Sequence, residues 1–574
     1  MKTPDVAPST IKDRDFLKDT WTLLKLFWRS SQKKTAFGLL GIVIFLLASL
    51  TALEAIFTYW QRALYDALQQ YDWGQFTWLL KLFVPLASLL IVLFIGKHFV
   101  EVLLKTKWRQ FLTQQFVQKW LTDKRYYLLQ FTMLKTDNPD QRLAEDLEHI
   151  TSTGLSLFVS FVGAFFALFV FLNILWTLSG TCPVSLGGVS FNIPGHLVLA
   201  AFVYSVVGTY FTRRIMRPFP PLYVALERTE GSFRYALARV REYGESVAFY
   251  HGEEREDTKL KGLFAHIYSA TIAIARKMIG VNLWLSFYGQ LAIVLPFLLM
   301  APRYFKEKLA IGILIQVASS FGNVQNAFSV IVNNYPTFIA LKASIQRILA
   351  FDAAMEALSK ARTHLQLITH KKKTVVLKNL TLQTPEGKVI LKVEDQTLEE
   401  GTSVLIKGPS GVGKSTLLRA LSGMWPFGEG AIIRPEKRLF FIPQKPYLPL
   451  GTLREALAYP QDAASFNDKA LCDVLDACGL AHLKERLSTH AFWTQILSGG
   501  EAQRLAFARL LLFKPDWAFL DEATSALDEK AEAQLYQLAQ KRLPRLTMVS
   551  VGHKPTLDAF HQKSWHLAAG SVSL

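Results

Sequence analysis

A glycine-rich segment in the second half of the chain carries the residue types that bind phosphate. It reads Gly408-Pro409-Ser410-Gly411-Val412-Gly413-Lys414-Ser415-Thr416. It follows the apolar run Val404–Ile406 and precedes leucines at helical spacing. The glycines let backbone amides approach phosphate, Lys414 can reach the β and γ phosphates, and Ser415 can ligate Mg²⁺. The spacing therefore predicts a strand, loop and helix that bind a nucleoside triphosphate with Mg²⁺.

Two acidic residues follow another apolar segment, Trp517–Leu520. Asp521 can hold the Mg²⁺ shell at the end of a strand, and Glu522 is placed to polarise the attacking water of phosphoryl transfer. A strand that ends in two acids is common by itself. Together with the phosphate loop it predicts a site that hydrolyses the nucleotide.

Residues 497–504 read Leu-Ser-Gly-Gly-Glu-Ala-Gln-Arg. Ser498 and Glu501 have the spacing of a capping box, which predicts that a helix begins here. The segment also resembles the LSGGQ-type signature of ABC transporters, and it lies just ahead of the acidic strand, as it does in that family. The sequence thus resembles the nucleotide-binding domain of an ABC transporter.

The resemblance extends to other motifs, residue by residue. Phe441-Ile-Pro-Gln444 resembles the Q-loop, Ser525-Ala-Leu-Asp528 the D-loop, and His553 the switch histidine that holds the γ phosphate. It implies Glu522, His553 and Gln444 as catalytic residues, and Ser415, Gln444 and Asp521 as Mg²⁺ ligands. The residues implied to contact ATP are Gly408 to Thr416, Ser498, Gly499, Gly500 and Asp528. In this family the signature of one subunit closes over the phosphate loop of the other, so Ser498 would serve a nucleotide bound by Lys414 of the partner subunit.

One feature of the family is missing from this chain. ABC transporters commonly stack adenine on an aromatic residue upstream of the phosphate loop, yet no Phe, Tyr or Trp occurs between Phe351 and Trp425. Thr384-Pro385 stands at the matching place. We therefore expect base recognition to be weak or to come from elsewhere in the molecule.

The elements that must position these motifs begin at Thr374. Short β-branched runs alternate there with helical patterns, which predicts a mostly parallel sheet flanked by helices. The expected strands are Val375–Leu377, Ser403–Ile406, Leu439–Ile442, Ala518–Leu520 and Thr547–Val551. Residues 374–574 are therefore predicted to form an α/β P-loop nucleotide-binding domain.

The composition of the whole chain argues against a soluble protein. Its 574 residues are 51% hydrophobic and 19% charged, and their mean hydropathy is +0.21. A charged fraction below the roughly 25% of soluble domains excludes a disordered chain and favours a membrane protein. Since a bilayer core needs roughly 20 apolar residues per helix, six spans are predicted. They are residues 36–60, 78–100, 154–178, 196–212, 281–301 and 310–333.

The connecting segments predict the orientation of these spans. Residues 179–195 contain no charged side chain and residues 61–77 contain only one basic residue, whereas 97–150 contain nine Lys and Arg and 213–280 contain twelve. By the positive-inside rule both basic segments are cytoplasmic, as are both termini. Each of the two basic segments is too long for a turn and is expected to extend its flanking helices into water.

The net charge of +18 is also explained by this arrangement. Residues 370–574 hold 26 Lys and Arg against 21 Asp and Glu, a balance of +5, which leaves +13 for the first 369 residues. Because the excess charge accompanies the apolar runs, membrane lipid is the expected partner and nucleic acid is not. The predicted organisation is an elbow segment on the cytoplasmic leaflet (1–35), a membrane domain (36–345), a linker (346–373) and the nucleotide-binding domain (374–574).

This order resembles an ABC half transporter with an exporter-like membrane fold, which needs a second copy to complete two ATP sites. Since every catalytic position is present, a homodimer is expected, with a different partner left open. Several segments are similar to the ABCD subfamily of peroxisomal half transporters and its bacterial relatives of the YddA and BacA type. These segments are Asp137 to Arg142 with Glu145-Asp146, Glu245 to Glu253, Pro443 to Tyr447, and Gly451 to Arg454 with Tyr459-Pro460. The first two segments are expected to couple hydrolysis to transport, through Asp140, Arg142 and Glu245.

The resemblance implies a bulky small-molecule or peptide substrate: acyl-CoA or fatty acid in the organellar members, and cobalamin, peptides or very-long-chain lipid in the bacterial ones. The chain ends Ser-Val-Ser-Leu, without a peroxisomal signal, so a bacterial inner membrane is expected. Glu54 lies inside the first span and should face a wet cavity, unless it pairs with Arg62, and this favours uptake of a neutral or cationic solute such as cobalamin or a peptide. Transport of acyl-CoA or lipid, export of a hydrophobic compound, and an ATPase that regulates a channel are the alternatives.

Overall fold

The structure, a computed structural model, describes residues 13–131, 139–186, 189–360, 364–370, 373–436, 438–568 and 571–573. Asp137 and Asn138 of the first family motif therefore lie outside the described residues. The chain forms two compact units, Met1–Lys119 with Thr136–Ala353 and Trp120–Lys135 with Ala354–Leu574. A short part of the first basic segment thus belongs to the same unit as the nucleotide motifs.

Long helices dominate the first 360 residues. They are α1 (Asp13–Trp28), α2 (Lys33–Gln69), α3 (Trp73–Leu121), α4 (Arg125–Leu128), α5 (Pro139–Gln141), α6 (Leu147–Ser179), α7 (His196–Met216), α8 (Phe219–Glu242), α9 (Gly244–Phe249), α10 (Glu253–Glu307), α11 (Ile311–Phe328), α12 (Val330–Asn333) and α13 (Tyr335–Lys360). A π-helical turn, Arg142–Asp146, precedes α6, and the strands β1 (Thr181–Leu186) and β2 (Val189–Pro194) form a hairpin between α6 and α7.

Among the described residues, four helical segments are long and apolar enough to cross a membrane. They are Lys33–Gln69, Trp73–Phe131, Pro139–Ser179 and Glu253–Glu307, and they contain four of the six predicted spans. The other two predicted spans coincide with α7 and α11, which carry more polar residues. Arg213 and Arg214 lie in the last turn of α7, and α11 contains four side-chain amides. Six spans therefore remain a prediction.

The apolar core of the membrane unit lies where α2, α6, α7, α10 and α11 meet. Its fully buried side chains include Phe171, Leu175 and Phe321. The stacked rings of Tyr204 and Tyr288, with centroids 4.3 Å apart, join α7 to α10. Helix α10 has 55 residues, and at 1.5 Å per residue it is far longer than a bilayer core of roughly 30 Å requires. This length agrees with helices that continue beyond the membrane.

The second unit contains two sheets and the helices that flank them. Its strands are β3 (His364–His370), β4 (Val375–Gln383), β5 (Val389–Val393), β6 (Gln396–Leu398), β7 (Val404–Lys407), β8 (Gly428–Pro435), β9 (Leu439–Ile442), β10 (Gly451–Thr452), β11 (His490–Ala491), β12 (Trp517–Asp521), β13 (Thr547–Val551), β14 (Lys563–Ala568) and β15 (Ser571–Ser573). Its helices are α14 (Lys414–Leu421), α15 (Leu453–Ala458), α16 (Asp468–Ala477), α17 (Trp493–Ile496), α18 (Gly499–Phe513) and α19 (Glu529–Arg542).

The larger sheet has the order β15-β14-β7-β13-β12-β9, and all its pairs are parallel except β14 with β15. The five predicted strands are confirmed, and four of them lie in this sheet. The fifth, β4, belongs to a mostly antiparallel sheet with the order β3-β8-β4-β5. The predicted linker contains part of α13 and the strand β3, which pairs with β8, so much of it is regular structure.

Candidate functional site

The phosphate loop connects β7 to α14 and requires glycine at two tight positions. Gly408 has φ +147°, and a Cβ atom there would lie 2.4 Å from the carbonyl oxygen of Leu567. Gly413 has φ +105°, and its Cβ would lie 2.8 Å from Cγ2 of Ile390. A side chain at either position would collide with its neighbour, so only glycine fits at these two positions of the loop. The backbone amides at the start of α14 are thereby left open to an anion.

Lys414 is buried at the first position of α14. Its Nζ donates hydrogen bonds to the carbonyl oxygens of Gly408 (2.7 Å) and Pro409 (2.9 Å), so the ammonium lies within the curve of its own loop. Burial lowers the pKa of Lys414, while the negative charges of Glu522 and Asp521 act in the opposite direction. A cation fixed inside an amide-lined loop can hold the terminal phosphates of a nucleotide.

Ser415 and Asp521 are brought together across the site. The Ser415 hydroxyl donates a 2.9 Å hydrogen bond to Oδ1 of Asp521 at the end of β12. Burial raises the pKa of Asp521, and the hydrogen bond from Ser415 counters that rise. A hydroxyl and a carboxylate oxygen at this separation are hard oxygen ligands of the kind that Mg²⁺ uses alongside phosphate. The residues therefore fit the Mg²⁺ ion that the family resemblance implies.

Glu522 is the point at which the predicted catalytic residues converge. Gln444 Nε2 donates a 2.8 Å hydrogen bond to Oε2 of Glu522, and His553 Nε2 lies 3.7 Å from its Oε1. Strands β12 and β13 are parallel and pair Asp521 with Val551, so Glu522 and His553 follow at neighbouring strand ends. Glu522 has φ +47°, a left-handed conformation that costs a residue other than glycine roughly 1–3 kcal/mol. In this conformation the carboxylate lies beside Gln444 and His553.

The signature segment forms a second cluster with the D-loop. Ser498 caps α18, and the capping box with Glu501 predicted from the sequence is confirmed. Asp528 caps α19 by accepting a 2.7 Å hydrogen bond from the amide of Ala531. Gly500 lies so close to the D-loop that a Cβ would meet Leu527 Cδ2 at 3.1 Å. Within the described part of the chain, no hydrogen bond or ion pair joins Ser498 or Asp528 to the phosphate loop.

Gln503 connects the two clusters, a role that the sequence analysis did not predict. Its side chain is buried, and its Nε2 donates to the carbonyl oxygen of Gln444 (3.4 Å) and to Oγ of Ser525 (3.1 Å). Its Oε1 accepts a 2.9 Å hydrogen bond from the amide of Ala526. The Q-loop backbone is thereby tied to the D-loop through one amide side chain. In the sequence, only the position of Gln503, three residues after the signature glycines, could have indicated this role.

A further contact in this unit involves the short segment from the first basic region. Lys124 Nζ donates a 2.7 Å hydrogen bond to the carbonyl oxygen of Ser422, just after α14. The Phe131 ring meets the Trp425 ring edge-on, with centroids 5.2 Å apart. Within the nucleotide unit, this short segment therefore packs beside the helix of the phosphate loop.

The membrane unit contains a compact ion-pair cluster in the first family motif. Asp146 is buried, accepts hydrogen bonds from Arg347 Nε at 3.0 and 3.2 Å, and is within 3.0 Å of Arg142 Nη1. Hydrogen bonds between a carboxylate and guanidinium groups are stronger than those between neutral groups. Asp140 and Glu245, which were predicted to act with Arg142, are exposed. Asp146 belongs to the motif predicted from the sequence, but its pairing with Arg347 was missed because the two residues are 201 positions apart in the chain.

The family is decided by comparison with known proteins. The chain matches the family models for ABC transporter transmembrane region 2 over residues 23–305 and for ABC transporter over residues 391–525. It is 37% identical to an uncharacterized ABC transporter ATP-binding protein of Haemophilus influenzae, over 93% of this chain and 89% of the relative. The chain belongs to the ABC transporter family. It is an ABC half transporter whose nucleotide unit hydrolyses ATP.

Other members of the ABC transporter family are similar over nearly the whole chain. The inner membrane ABC transporter ATP-binding protein YddA of Escherichia coli is 32% identical over 95% of both chains. The lysosomal cobalamin transporter ABCD4 of Homo sapiens is 28% identical over 97% of this chain and 96% of the relative. The predicted resemblance to the ABCD subfamily and to YddA is confirmed.

A solved structure shows the fold. A bacterial Atm1-family ABC exporter with ATP bound superposes with a TM-score of 0.69, at 20% identity, over 95% of each chain. The prediction of an exporter-like membrane region followed by an ABC nucleotide-binding domain is thus confirmed, apart from the number of spans.

The place predicted to receive the adenine base lies at the turn between β4 and β5. Thr384 and Pro385 begin the turn between β4 and β5, where the Thr384 amide donates to the carbonyl oxygen of Lys388. The side chains found near Gly413 of the phosphate loop are those of the aliphatic residues Ile390 and Leu391. A ring stacked on a purine contributes on the order of 1 kcal/mol, and no aromatic side chain stands at this place to supply it.

We therefore expect GTP to support hydrolysis within about tenfold of ATP, since 1 kcal/mol changes an equilibrium by roughly fivefold. The measurement is kcat/KM for both nucleotides on the purified full-length protein. Thr384→Tyr supplies a ring on which either purine can stack, so it should lower KM for both nucleotides. A strict preference for ATP in the unsubstituted protein would mean that a ring elsewhere binds the base.

Proposed function

We propose that this half transporter is a homodimer that uses Mg-ATP to take up a bulky hydrophilic solute, cobalamin or a peptide, across a bacterial inner membrane. The observation that carries the ATPase part is the convergence of Gln444 and His553 on Glu522. The name of the human relative, a cobalamin transporter, supports the substrate, and the inner-membrane relative YddA supports the location. The six spans, with both termini in the cytoplasm, are part of the proposal.

Each residue of the nucleotide site has a proposed task. The loop from Gly408 to Thr416 cradles the phosphates, and Lys414 neutralises their charge. Ser415, Asp521 and Gln444 would hold Mg²⁺, which would supply charge stabilisation for the transferred phosphoryl group. Glu522 takes a proton from the attacking water, and His553 contacts the γ phosphate while it orients Glu522.

A second copy completes the site in this proposal. Ser498, Gly499 and Gly500 of one subunit would close over the nucleotide of the other, with Asp528 at the same junction. The capping box supports this role, because it fixes Ser498 at the N-terminus of a 15-residue helix, an end that favours phosphate. Since one chain supplies both halves, two identical chains suffice for two sites.

The membrane unit offers polar surface for a hydrophilic solute. A cavity of about 190 Å³ lies between α7, α10, α11 and α12. Its polar lining consists of Thr209, Thr212, Tyr288, Gln325, Asn326, Ser329 and Asn333. These side chains form hydrogen bonds without carrying charge, which suits a neutral solute better than an anionic one. Since drug-sized sites have roughly 300–1,000 Å³, the cavity would contact only part of a bulky substrate.

Glu54 adds a negative charge to the membrane unit. It is exposed near the middle of α2, in the stretch predicted to span the membrane. Arg62, the salt-bridge partner considered from the sequence, lies instead against Asp66 (3.8 Å) and Gln316 (3.3 Å). A carboxylate in a span costs roughly 2.5–3.5 kcal/mol on insertion scales unless it meets water or a partner. We therefore propose that Glu54 faces the transport path and favours neutral or cationic solutes.

The substrate proposal is tested by growth of a host that lacks cobalamin uptake. Expression of this protein should restore growth on limiting cobalamin, because transport would replace the missing uptake. Glu522→Gln, expressed at the same level, is the control and should not restore growth. Failure of the active protein to rescue, together with ATPase stimulation by acyl-CoA alone, would contradict the proposal and favour an acyl-CoA carrier.

A further inference from the structure

A strongly basic cavity lies at one end of the membrane helices. It has a volume of about 630 Å³ and is formed where the junction of α7 and α8 meets α10. Four of its lining residues are cations, Arg214, Arg217, Arg276 and Lys277. They come from two segments about sixty residues apart in the chain, so the fold and not the local sequence gathers them.

The positive charge of this cavity is not balanced by acidic side chains in its lining. No carboxylate is among its described lining residues. The sequence has no Asp or Glu from residue 196 to 226, nor from 258 to 306, which covers all of α7 and most of α10. A concave surface lined by one sign of charge focuses the potential and attracts a counter-ion. The cavity is therefore suited to an anion with more than one negative charge or to two adjacent anions.

The position of the cavity indicates the kind of anion. The apolar part of α7 ends at Arg213, and α10 becomes apolar directly after Lys277. Exposed apolar side chains continue from the cations toward the centre of the predicted spans on both helices. They are Val207, Tyr210 and Phe211 on α7 and Ile279 and Leu283 on α10. A ligand here would find cations at one end and an apolar surface at the other.

We propose that this cavity binds the phosphate headgroup of an anionic glycerophospholipid, with the acyl chains along the exposed apolar side chains of α7 and α10. Basic pockets between membrane helices on the cytoplasmic side are known to select such headgroups, and the distribution of Lys and Arg assigns this end to the cytoplasm. Free phosphate would leave the apolar surface uncovered. This site is independent of the proposed transport substrate.

Native mass spectrometry of the purified full-length protein tests this site. Dioleoyl phosphatidylglycerol should bind at least tenfold more tightly than dioleoyl phosphatidylcholine, given the attraction of several adjacent cations. Arg214→Gln with Arg276→Gln should remove this preference. The matched control, Arg213→Gln with Arg228→Gln, removes two exposed cations from α7 and α8 that do not line the cavity, and it should keep the preference. Equal preference in the two double variants would overturn the proposal.

Two competitors separate the sources of phosphate. Inorganic phosphate at the concentration of the lipid should not displace phosphatidylglycerol, because it lacks the apolar contacts. Oleoyl-CoA that displaces the lipid and also stimulates ATP hydrolysis would identify a substrate site and overturn the proposal, as would displacement by phosphate. ATPase activity reports whether each variant is folded. If the double variant is inactive, the single variant Lys277→Gln should still weaken phosphatidylglycerol binding, and unchanged binding would count against the proposal.

Discussion

Replacing Glu522 by Gln should lower the rate of ATP hydrolysis by roughly 10²–10⁴-fold, the contribution usual for a general base, while ATP binding stays within about twofold. The amide has the same shape, so it can still accept the hydrogen bond from Gln444. It cannot take a proton from water. Lys414, Ser415 and Asp521 are untouched and still hold the nucleotide, and the protein should stall as an ATP-bound dimer.

This expectation is checked by single-turnover hydrolysis and by the nucleotide that remains bound after gel filtration. Glu436→Gln, which changes an exposed carboxylate in the same unit, is the control and should leave the rate unchanged. Near wild-type hydrolysis by Glu522→Gln would show that another group activates the water.

The second large effect is expected at Asp146. Asp146→Asn removes the charge that Arg142 and Arg347 share, so the π-helical turn before α6 should lose its connection to α13. Breaking a fully buried pair costs roughly 3–5 kcal/mol, and the cost here should be smaller because Arg347 is partly exposed. We expect the variant to hydrolyse ATP within about threefold of the wild type and to lose at least tenfold in transport.

Transport and hydrolysis are measured on the same reconstituted sample, so loss of folding would lower both. Asp257→Asn is the control, because Asp257 forms an ion pair with Lys261 four residues away on an exposed surface. Asp140, Arg142 and Glu245 remain predicted to affect coupling, with Arg142 expected to show the largest loss. Retained transport by Asp146→Asn would contradict a role of this cluster in coupling and leave it only a structural role.

The sequence was most informative where function depends on neighbours along the chain. Three short segments could be predicted from their residue types alone. They are the phosphate loop, the capped signature helix and the acidic end of β12. Four of the five predicted strands lie in the parallel part of the larger sheet, where buried strands form continuous apolar runs. The motifs predicted Ser415 and Asp521 as ligands of one Mg²⁺ ion, and in the structure these two residues, 106 positions apart in the chain, form a hydrogen bond.

Other features depend on contacts that no local pattern reports. Strand β3 pairs with β8 across more than sixty residues, and its side chains are largely exposed, so it lacks a clear strand pattern. The buried Gln503 and the Asp146–Arg347 pair are polar residues whose partners only the fold supplies. Helices α7 and α11 were predicted as spans from their apolar runs, but their polar side chains leave them outside the described segments that are apolar enough to cross a membrane.

The most direct test of the account is solute movement in vesicles that contain the purified protein with its nucleotide units facing outward. Vesicles preloaded with cobalamin, and in parallel with a labelled peptide, receive Mg-ATP from outside, and the solute left inside is counted over time. The account predicts that ATP drives cobalamin or the peptide out of the lumen, since this direction corresponds to uptake into the cell, and that Glu522→Gln vesicles release neither. Retention of both solutes while ATP is hydrolysed at the full rate would contradict it.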